Sequence, residues 1–214
     1  MANLAPRILN IVAIAGIALA AAAALPQARG DAPVRLGAPP PAFGARDIAG
    51  KTVRLGDFAG KTIVLEWTND GCPFVGKHYN SGNMQALQRR HTEAGGVWLT
   101  IASSAPGEEG YVTPDQARAD LARWGAAPSD FLLDPDGVVG HLYDARATPH
   151  MVVIDRAGRL AYIGAIDDTP STDPRDVKTA KNYVAAALDE LAAGKPVTIA
   201  ATRAYGCSVK YKTS

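Results

Sequence analysis

The sequence predicts an α/β layer fold, in which helices cover both faces of a sheet that is parallel in its first part and antiparallel near its end. Short runs rich in β-branched residues alternate with segments of helical periodicity along most of the chain. Two later apolar runs follow each other across the turn "RAGR" at residues 156–159, which predicts a hairpin. With 214 residues and an apolar fraction of 47%, the chain can bury one ordinary globular core.

The N-terminal segment has the pattern of a secretory signal. Arg7 is the only charged side chain before the apolar stretch "ILNIVAIAGIALAAAAAL", which ends at Pro26 and gives way to a polar segment. Residues 1–28 are therefore predicted to be a signal peptide, which implies a periplasmic or secreted protein. Because the apolar run lies near the ~18-residue lower limit for a membrane-spanning helix, an uncleaved N-terminal anchor is the alternative.

Composition divides the rest of the chain into three parts. A Pro- and Gly-rich arm is predicted at 29–42, the folded domain at 43–194, and a tail that carries Cys207 at 195–214. Irregular structure is expected as far as Asp47.

The net charge is +1 and Lys and Arg form no stripe, which argues against nucleic acid as a partner. Contact with a membrane is predicted only through an uncleaved N-terminal segment.

The first half of the domain is predicted to run strand, helix, strand. Two β-branched runs, at 52–55 and 62–67, are strand candidates because "GDFAGK" supplies a turn between them. An amphipathic helix interrupted near "NSGN" is predicted from Pro73 to about Glu93, with apolar residues at Phe74, Val75, Met84 and Leu87. The apolar run "GGVWLTIAS" that follows is predicted to be a buried strand.

The second half continues the alternation. Thr113 suits an N-cap, Pro114 suits the first helical position and Gly125 ends the segment, which predicts a short helix. In order, the remaining predicted elements are a strand at 130–134, a short helix at 138–145, strands at 150–155 and 160–166, and a helix at 174–194.

Cys72 lies just after the strand at 62–67 and just before a helix, in the stretch "EWTNDGCPFVGKHY". Sheets of this kind place their sites at the carboxyl ends of strands, and a helix N-terminus stabilises a thiolate through its free N–H groups and dipole. Pro73 has no N–H and suits the first helical turn. A small buried hydrophobe is the alternative, but the position favours a reactive nucleophile.

Cys207 is the only other cysteine of the chain. In an exported protein the two thiols can form a disulfide, and closing a loop this long would stabilise the fold by ~4–5 kcal/mol on the chain-entropy model. Three alternatives therefore remain open: a permanent structural disulfide, a pair that cycles between thiol and disulfide, and two unpaired thiols.

Four segments, taken in order, resemble the thioredoxin fold in its peroxiredoxin-like branch, the alkyl hydroperoxide reductase/thiol-specific antioxidant redoxins. They are "DIAGKTVRLGDFAGKTIVLEW", "GCPFV", "ATPHMVVIDRAGRLAYIGAIDD" and "ATRAYGCSVKY". The resemblance extends from about Gly37 to the C-terminus, and it implies a central mixed β-sheet flanked by helices, preceded by a signal segment and followed by a C-terminal tail.

The resemblance also implies the composition of the site. In that family the peptide bond between the residues at Thr148 and Pro149 is cis, faces the reactive sulfur and leaves backbone groups free to hold an extended peptide. A trans proline at the start of a strand is the alternative. Cys72 and Cys207 are then the catalytic candidates, and the substrate-binding candidates are Thr148, Pro149, Pro73 and Asn69.

The chain departs from its relatives near Cys72. Thioredoxin-like reductases carry Cys-x-x-Cys, whereas the two positions that could supply a second local thiol hold Asn69 and Val75. Peroxiredoxins place a threonine three residues before the reactive cysteine and a proline four further back; here these positions hold Asn69 and Leu65. The departures leave Cys207 as the resolving thiol, and a slow reaction with hydroperoxide needs only an exposed thiolate at Cys72.

The other residues near these motifs are expected to have structural roles only. Trp67 is expected in the core and His150 in a strand. We expect a solvated helix face for Lys77 and His78, a turn at Asp167 and Asp168, and a soluble loop at Glu108 and Glu109. A copper site of the thioredoxin-fold metallochaperones would need Cys-x-x-x-Cys, which the sequence lacks.

The sequence therefore predicts an exported thiol–disulfide oxidoreductase or peroxiredoxin-like antioxidant. Its partners would be a thiol or disulfide protein, or a hydroperoxide, together with a thiol electron donor. No bound cofactor or metal is implied. The alternative is a non-catalytic binding or structural module in which a disulfide between Cys72 and Cys207 is permanent.

Overall fold

The computed structural model describes Met1 and residues 34–213. The predicted signal peptide at 1–28 lies outside the described residues apart from Met1. Within 34–213 the elements alternate as the sequence predicts, and the last two sheet strands form the expected hairpin.

The main sheet has seven strands, and it mixes parallel and antiparallel pairs. Its strands are β1 (Gly44–Asp47), β2 (Thr52–Arg54), β3 (Ile63–Trp67), β4 (Val97–Ala102), β5 (Asp130–Leu133), β7 (His150–Ile154) and β8 (Leu160–Gly164). In space they lie in the order β2-β1-β5-β4-β3-β7-β8, with β3, β4 and β5 parallel and β7 and β8 antiparallel. The predicted mixed sheet is confirmed. A second, two-stranded sheet pairs β6 (Ala147–Thr148) with β9 (Cys207–Ser208).

Five α-helices flank the sheet in the described part of the chain. They are α1 (Pro73–Asn80), α2 (Asn83–Glu93), α3 (Pro114–Trp124), α4 (Val138–Leu142) and α5 (Tyr183–Ala192). The interruption at "NSGN" separates α1 from α2, and Thr113 caps α3 by accepting a hydrogen bond from the Gln116 N–H. No helix among residues 34–213 is both long enough and apolar enough to cross a membrane.

The predicted helix at 174–194 is shorter than expected. Residues 174–178 form a 3-10 turn, and α5 begins only after Asn182, whose side chain accepts a hydrogen bond from the Ala185 N–H at 2.8 Å. Just before it, the Lys181 N–H donates to the Asp168 carboxylate at 2.9 Å. The segment therefore starts a new helix at its own cap instead of continuing the first turn.

The strand β1 was not predicted, because irregular structure was expected as far as Asp47. The letters "GARD" lack β-branched residues, but β1 pairs with both β2 and β5. The Asp47 carboxylate also accepts the N–H groups of Ala49 and Lys51 and so fixes the turn into β2. Tertiary pairing overrides the weak local preference.

The central strand β3 is buried on both faces. Leu65 and Trp67 face one apolar cluster and Val64 faces the other, and none of the three is measurably exposed. Full burial of each such side chain contributes ~1.5–3 kcal/mol. A strand held this firmly gives the loop at its carboxyl end, which contains Cys72, a fixed starting point.

Candidate active site

Cys72 is the N-cap residue of α1, with extended backbone, and Pro73 occupies the first helical turn. The helix begins where the Gly76 N–H donates to the Cys72 carbonyl at 2.9 Å. These observations agree with the predicted sheet-to-helix turn. The sulfur therefore lies at the positive end of the helix dipole.

The Thr148–Pro149 peptide bond is cis. Cys72 Sγ lies 3.2 Å from the carbonyl oxygen of Thr148 and donates its thiol hydrogen to it. The structure thus brings Cys72, Pro73, Thr148 and Pro149 together, although Cys72 and Thr148 are far apart in the sequence.

Cys72 is only 1% exposed, which corrects the expectation of an exposed thiolate. The C-terminal tail is part of this cover, since Cys207 packs against the apolar cluster that contains Cys72. In the tail, β9 pairs with β6 so that Cys207 lies opposite Thr148. Gly206, with a φ of +131°, passes so close to Thr148 that a Cβ atom there would collide with the Thr148 carbonyl oxygen. A glycine is therefore required where the tail crosses the site.

Cys207 is half-buried, and both cysteines are free thiols. Burial, the hydrogen bond with Cys72 and the negative charges of an ionised Cys72 and of Glu109 together raise the pKa of Cys207 to about 12. Cys207 is thus a neighbour of Cys72 and is held in the protonated form.

Asn69 shapes the loop before Cys72 and is 3% exposed. Its Oδ1 accepts from the Gly71 N–H at 2.9 Å, and its carbonyl accepts from the Cys72 N–H at 3.1 Å. Its Nδ2 donates to Glu109 at 3.4 Å. Glu109, expected only in a soluble loop, therefore reaches the site, and its sequence context gave no signal of this.

The expectation that Lys77 and His78 lie on a solvated helix face is wrong, since both are 0% exposed. Lys77 Nζ lies 2.7 Å from Asp167 Oδ2 and 2.6 Å from the Thr169 carbonyl oxygen. The Tyr205 hydroxyl donates to the other oxygen of Asp167, and His78 Nε2 lies 3.8 Å from this carboxylate. We call these five residues the Asp167 cluster; they join α1, the segment after β8 and the tail.

Burial has a clear effect on two histidines. It lowers the pKa of His78 to about 4, against the attraction of Asp167 and with a contribution from Lys77. Burial also lowers the pKa of His150 to about 4. The His150 ring packs edge-on against Trp67 at 5.6 Å, neither ring nitrogen has a partner within the described residues, and the ring lines a cavity of about 880 Å³.

Trp67 lies in the core, as expected, where its indole N–H donates to Ser103 Oγ at 3.1 Å. Among residues 34–213 there is no group of three or more His, Cys, Asp or Glu side chains arranged to hold a metal ion.

Comparison with known proteins agrees with this geometry. Residues 36–163 match the AhpC/TSA family. An uncharacterized conserved protein from Geobacillus kaustophilus is 26% identical, with a TM-score of 0.70 over 84% of this chain and 94% of that chain. A hypothetical protein from Sinorhizobium meliloti is 23% identical, with a TM-score of 0.69 over 85% and 97%.

A more distant structure has the same fold. The thioredoxin domain of a thiol-disulfide oxidoreductase from Bacteroides vulgatus is 17% identical, with a TM-score of 0.50 over 68% of this chain and 97% of that chain. A search of the curated proteins returned no match. The predicted thioredoxin-like fold and its redoxin branch are confirmed.

Proposed function

Because the chain belongs to the AhpC/TSA family, we propose that it is a thiol–disulfide oxidoreductase in which Cys72 is the nucleophile and Cys207 the resolving thiol. One observation carries this proposal. Cys72 Sγ lies at the start of α1 and 3.2 Å from Thr148, and Cys207 lies opposite that same Thr148 on β9. Nucleophile, docking backbone and second thiol therefore meet in one place.

The proposed reaction has two exchange steps. The Cys72 thiolate attacks one sulfur of a substrate disulfide, the substrate S–S bond breaks, and the leaving sulfur takes up a proton. Cys207 then loses its proton and attacks Cys72 Sγ, which forms the Cys72–Cys207 disulfide and releases the substrate as a dithiol. Two electrons pass to the substrate, and an external thiol donor returns two electrons to the pair.

The raised pKa of Cys207 supports this order of attack. Before Cys72 reacts, burial, the hydrogen bond with Cys72 and the negative charge of the ionised Cys72 keep Cys207 protonated. Once Cys72 is bonded to substrate it carries no charge, so one cause of the raised pKa disappears. Cys207 is then easier to ionise, at the step where its thiolate is needed.

Reduction of a hydroperoxide is the second candidate, and the burial of Cys72 to 1% exposure favours it because a small oxidant reaches a covered sulfur more easily. Cys72 would attack the terminal oxygen, the O–O bond would break and an alcohol would leave; Cys207 would then displace water from the sulfenic acid. Against it, the Asn69 amide is already bonded to Gly71 and Glu109 and so is not free to orient a peroxide.

We also propose that the protein is exported to the periplasm or secreted, on the pattern of residues 1–28, and that 29–42, 43–194 and 195–214 are arm, domain and tail. Export is tested by cell fractionation and by sequencing the mature N-terminus. A full-length chain that stays in the cytoplasm would overturn the proposal of export.

We propose that the substrate groove is formed by Thr148, Pro149, Pro73 and Asn69.

Variants of the two cysteines test the proposed function. Cys72→Ser should abolish reduction of an insulin-type disulfide and of hydrogen peroxide. Cys207→Ser should trap a mixed disulfide or a sulfenic acid at Cys72, which intact-mass spectrometry detects. Ser208→Ala, the neighbouring change on β9, serves as the control. Full turnover by Cys207→Ser would remove its resolving role. A pair that is reduced only on denaturation, with no Cys72-dependent turnover, would favour the non-catalytic module.

A further inference from the structure

We propose that Asp167 is a positioning residue that holds Cys207 over Cys72, by fastening the C-terminal tail to the helix that begins at Cys72. This inference rests on the proposed function only in its consequence for catalysis. The contact itself is a property of the folded chain and can be tested without turnover.

The first half of the connection runs from the carboxylate to α1. Asp167, 2% exposed, accepts from Lys77 Nζ at 2.7 Å, and Lys77 lies on α1 one turn and a half after Cys72. Lys77 also donates to the Thr169 carbonyl at 2.6 Å, so its ammonium group is held from two sides. A buried ion pair of this geometry fixes α1 against the segment after β8.

The second half runs from the same carboxylate to the tail. The Tyr205 hydroxyl donates to Asp167, and its ring packs edge-on against Phe74 with 5.8 Å between ring centroids. Lys77 Nζ lies 5.9 Å from the centre of the Tyr205 ring. Tyr205 is two residues before Cys207, so these contacts anchor the tail immediately before β9.

The other anchors of the tail do not involve α1. At the site itself β9 pairs with β6, and Thr148 Oγ1 donates to the Cys207 carbonyl oxygen at 3.4 Å. Thr202 Oγ1 accepts from the Ala165 N–H at 2.9 Å, and the Tyr211 hydroxyl donates to the Ala145 carbonyl. Neither reaches α1. Within residues 34–213, the side-chain hydrogen bonds between the tail and α1 pass through the Asp167 cluster. Together with the pairing of β9 and β6, which sets Cys207 opposite Thr148, the cluster therefore ties the tail to the helix that follows Cys72.

When the tail opens, Cys72 should become accessible to a reagent. If the tail closes faster than the reagent reacts, the rate of Cys72 alkylation is proportional to the fraction of molecules with an open tail. The experiment uses the Cys207→Ser protein, in which Cys72 is the only thiol, and a bulky maleimide as the probe. Tyr205→Phe removes the hydroxyl that bonds Asp167 and keeps the ring. We expect the alkylation rate to rise by about tenfold, the size expected for a lost hydrogen bond to a charged group.

Three further variants make the result decisive. Tyr143→Phe is the matched control, because it also removes one tyrosine hydroxyl. This hydroxyl donates to the Pro41 carbonyl oxygen at 2.8 Å and does not bond the tail, so the alkylation rate should stay unchanged. Gly206→Ala displaces β9 directly and should raise the rate at least as much as Tyr205→Phe. The double variant Lys77→Met/Asp167→Asn removes both buried charges together and should also raise it.

Each outcome decides the proposal. An increase in Tyr205→Phe, Gly206→Ala and the double variant but not in Tyr143→Phe supports it. An increase in Gly206→Ala alone overturns it, because the tail would cover Cys72 without help from Asp167. No increase in any variant, or an equal increase in Tyr143→Phe, also overturns it. If the alkylation pattern is as expected but the two-cysteine protein shows no turnover, the proposed function fails and the positioning role of Asp167 stands.

Discussion

Glu109 places a negative charge close to Cys207, although its loop position is exposed. Its carboxylate is one of the groups that raise the pKa of Cys207, after burial and Cys72, and Asn69 holds it in place. At the scale of single residues, the site therefore contains a charge that opposes ionisation of the second thiol. In the proposed reaction this charge slows the attack by Cys207 both before and after Cys72 has reacted.

Glu109→Gln should speed the resolution of a mixed disulfide at neutral pH by about two- to fivefold, the range expected for one exposed charge. The physical reason is that the pKa of Cys207 falls when the nearby carboxylate is removed, so more of the thiolate is present. Stopped-flow release of a chromophoric thiol from Cys72, measured across pH, should show the profile shifted to lower pH. Glu108→Gln is the control. An unchanged profile in Glu109→Gln would contradict the assigned role.

Which residues of the site can be predicted from the sequence depends on how local their signal is. Cys72 and Pro73 are adjacent in the sequence at a strand-to-helix turn, so their place at the start of a helix can be predicted from one short stretch. The partnership of Lys77 with Asp167 joins segments 90 residues apart, and isolated charged letters are typical of a surface. The sequence therefore predicted a solvated helix face for Lys77 and a turn at Asp167, and only the packed structure reveals the pair.

At the scale of elements, the clearest difference from expectation is the division of the segment at 174–194. The composition "AKNYVAAALDELAAG" favours a helix, but the cap at Asn182 determines where the helix begins. The short sheet of β6 and β9 could not be predicted either, since two-residue strands carry no periodicity. Long periodic elements such as α3 and β4 agreed with prediction because local pattern and tertiary packing favour the same structure.

Asn182→Ala should lower the free energy of unfolding by about 1 kcal/mol, because the Ala185 N–H loses its acceptor at the start of α5. In a domain of this size the loss corresponds to a fall in Tm of about 2–4 °C. Asn182→Ser keeps an acceptor at the cap and should recover most of the stability. Thermal unfolding followed by circular dichroism makes the comparison. Equal losses in both variants would show that the cap does not determine the stability of this helix.

At the scale of the whole molecule, stability depends on buried groups that ionise at mildly acidic pH. His78 and His150 have folded-state pKa values of about 4, below the unfolded value of about 6.5, so the unfolded chain binds their protons first as the pH falls. Their contribution to stability is therefore present above pH 6.5 and is lost toward pH 4. Burial raises the pKa of Glu66 and of Asp134, and these carboxyls act in the opposite direction.

His150→Phe should reduce the loss of unfolding free energy between pH 6.5 and pH 4 by up to about 3 kcal/mol, the amount that corresponds to one histidine with this shift. The aromatic ring keeps its packing against Trp67, so the pH-independent part of the stability should change less. Urea unfolding of wild type and variant at several pH values measures the two slopes. Parallel pH dependence in the two proteins would show that His150 does not titrate on unfolding.

The cover over Cys72 is supplied by some of the last residues of the chain, and this has a consequence for biosynthesis. While the polypeptide is being made, β3 and α1 can form before Gly206 and Cys207 have emerged. During that interval the Cys72 sulfur is uncovered, and a foreign disulfide could exchange with its thiolate, which leaves a mixed disulfide on Cys72 and releases a thiol. Premature termination upstream of the tail would make this vulnerable state permanent.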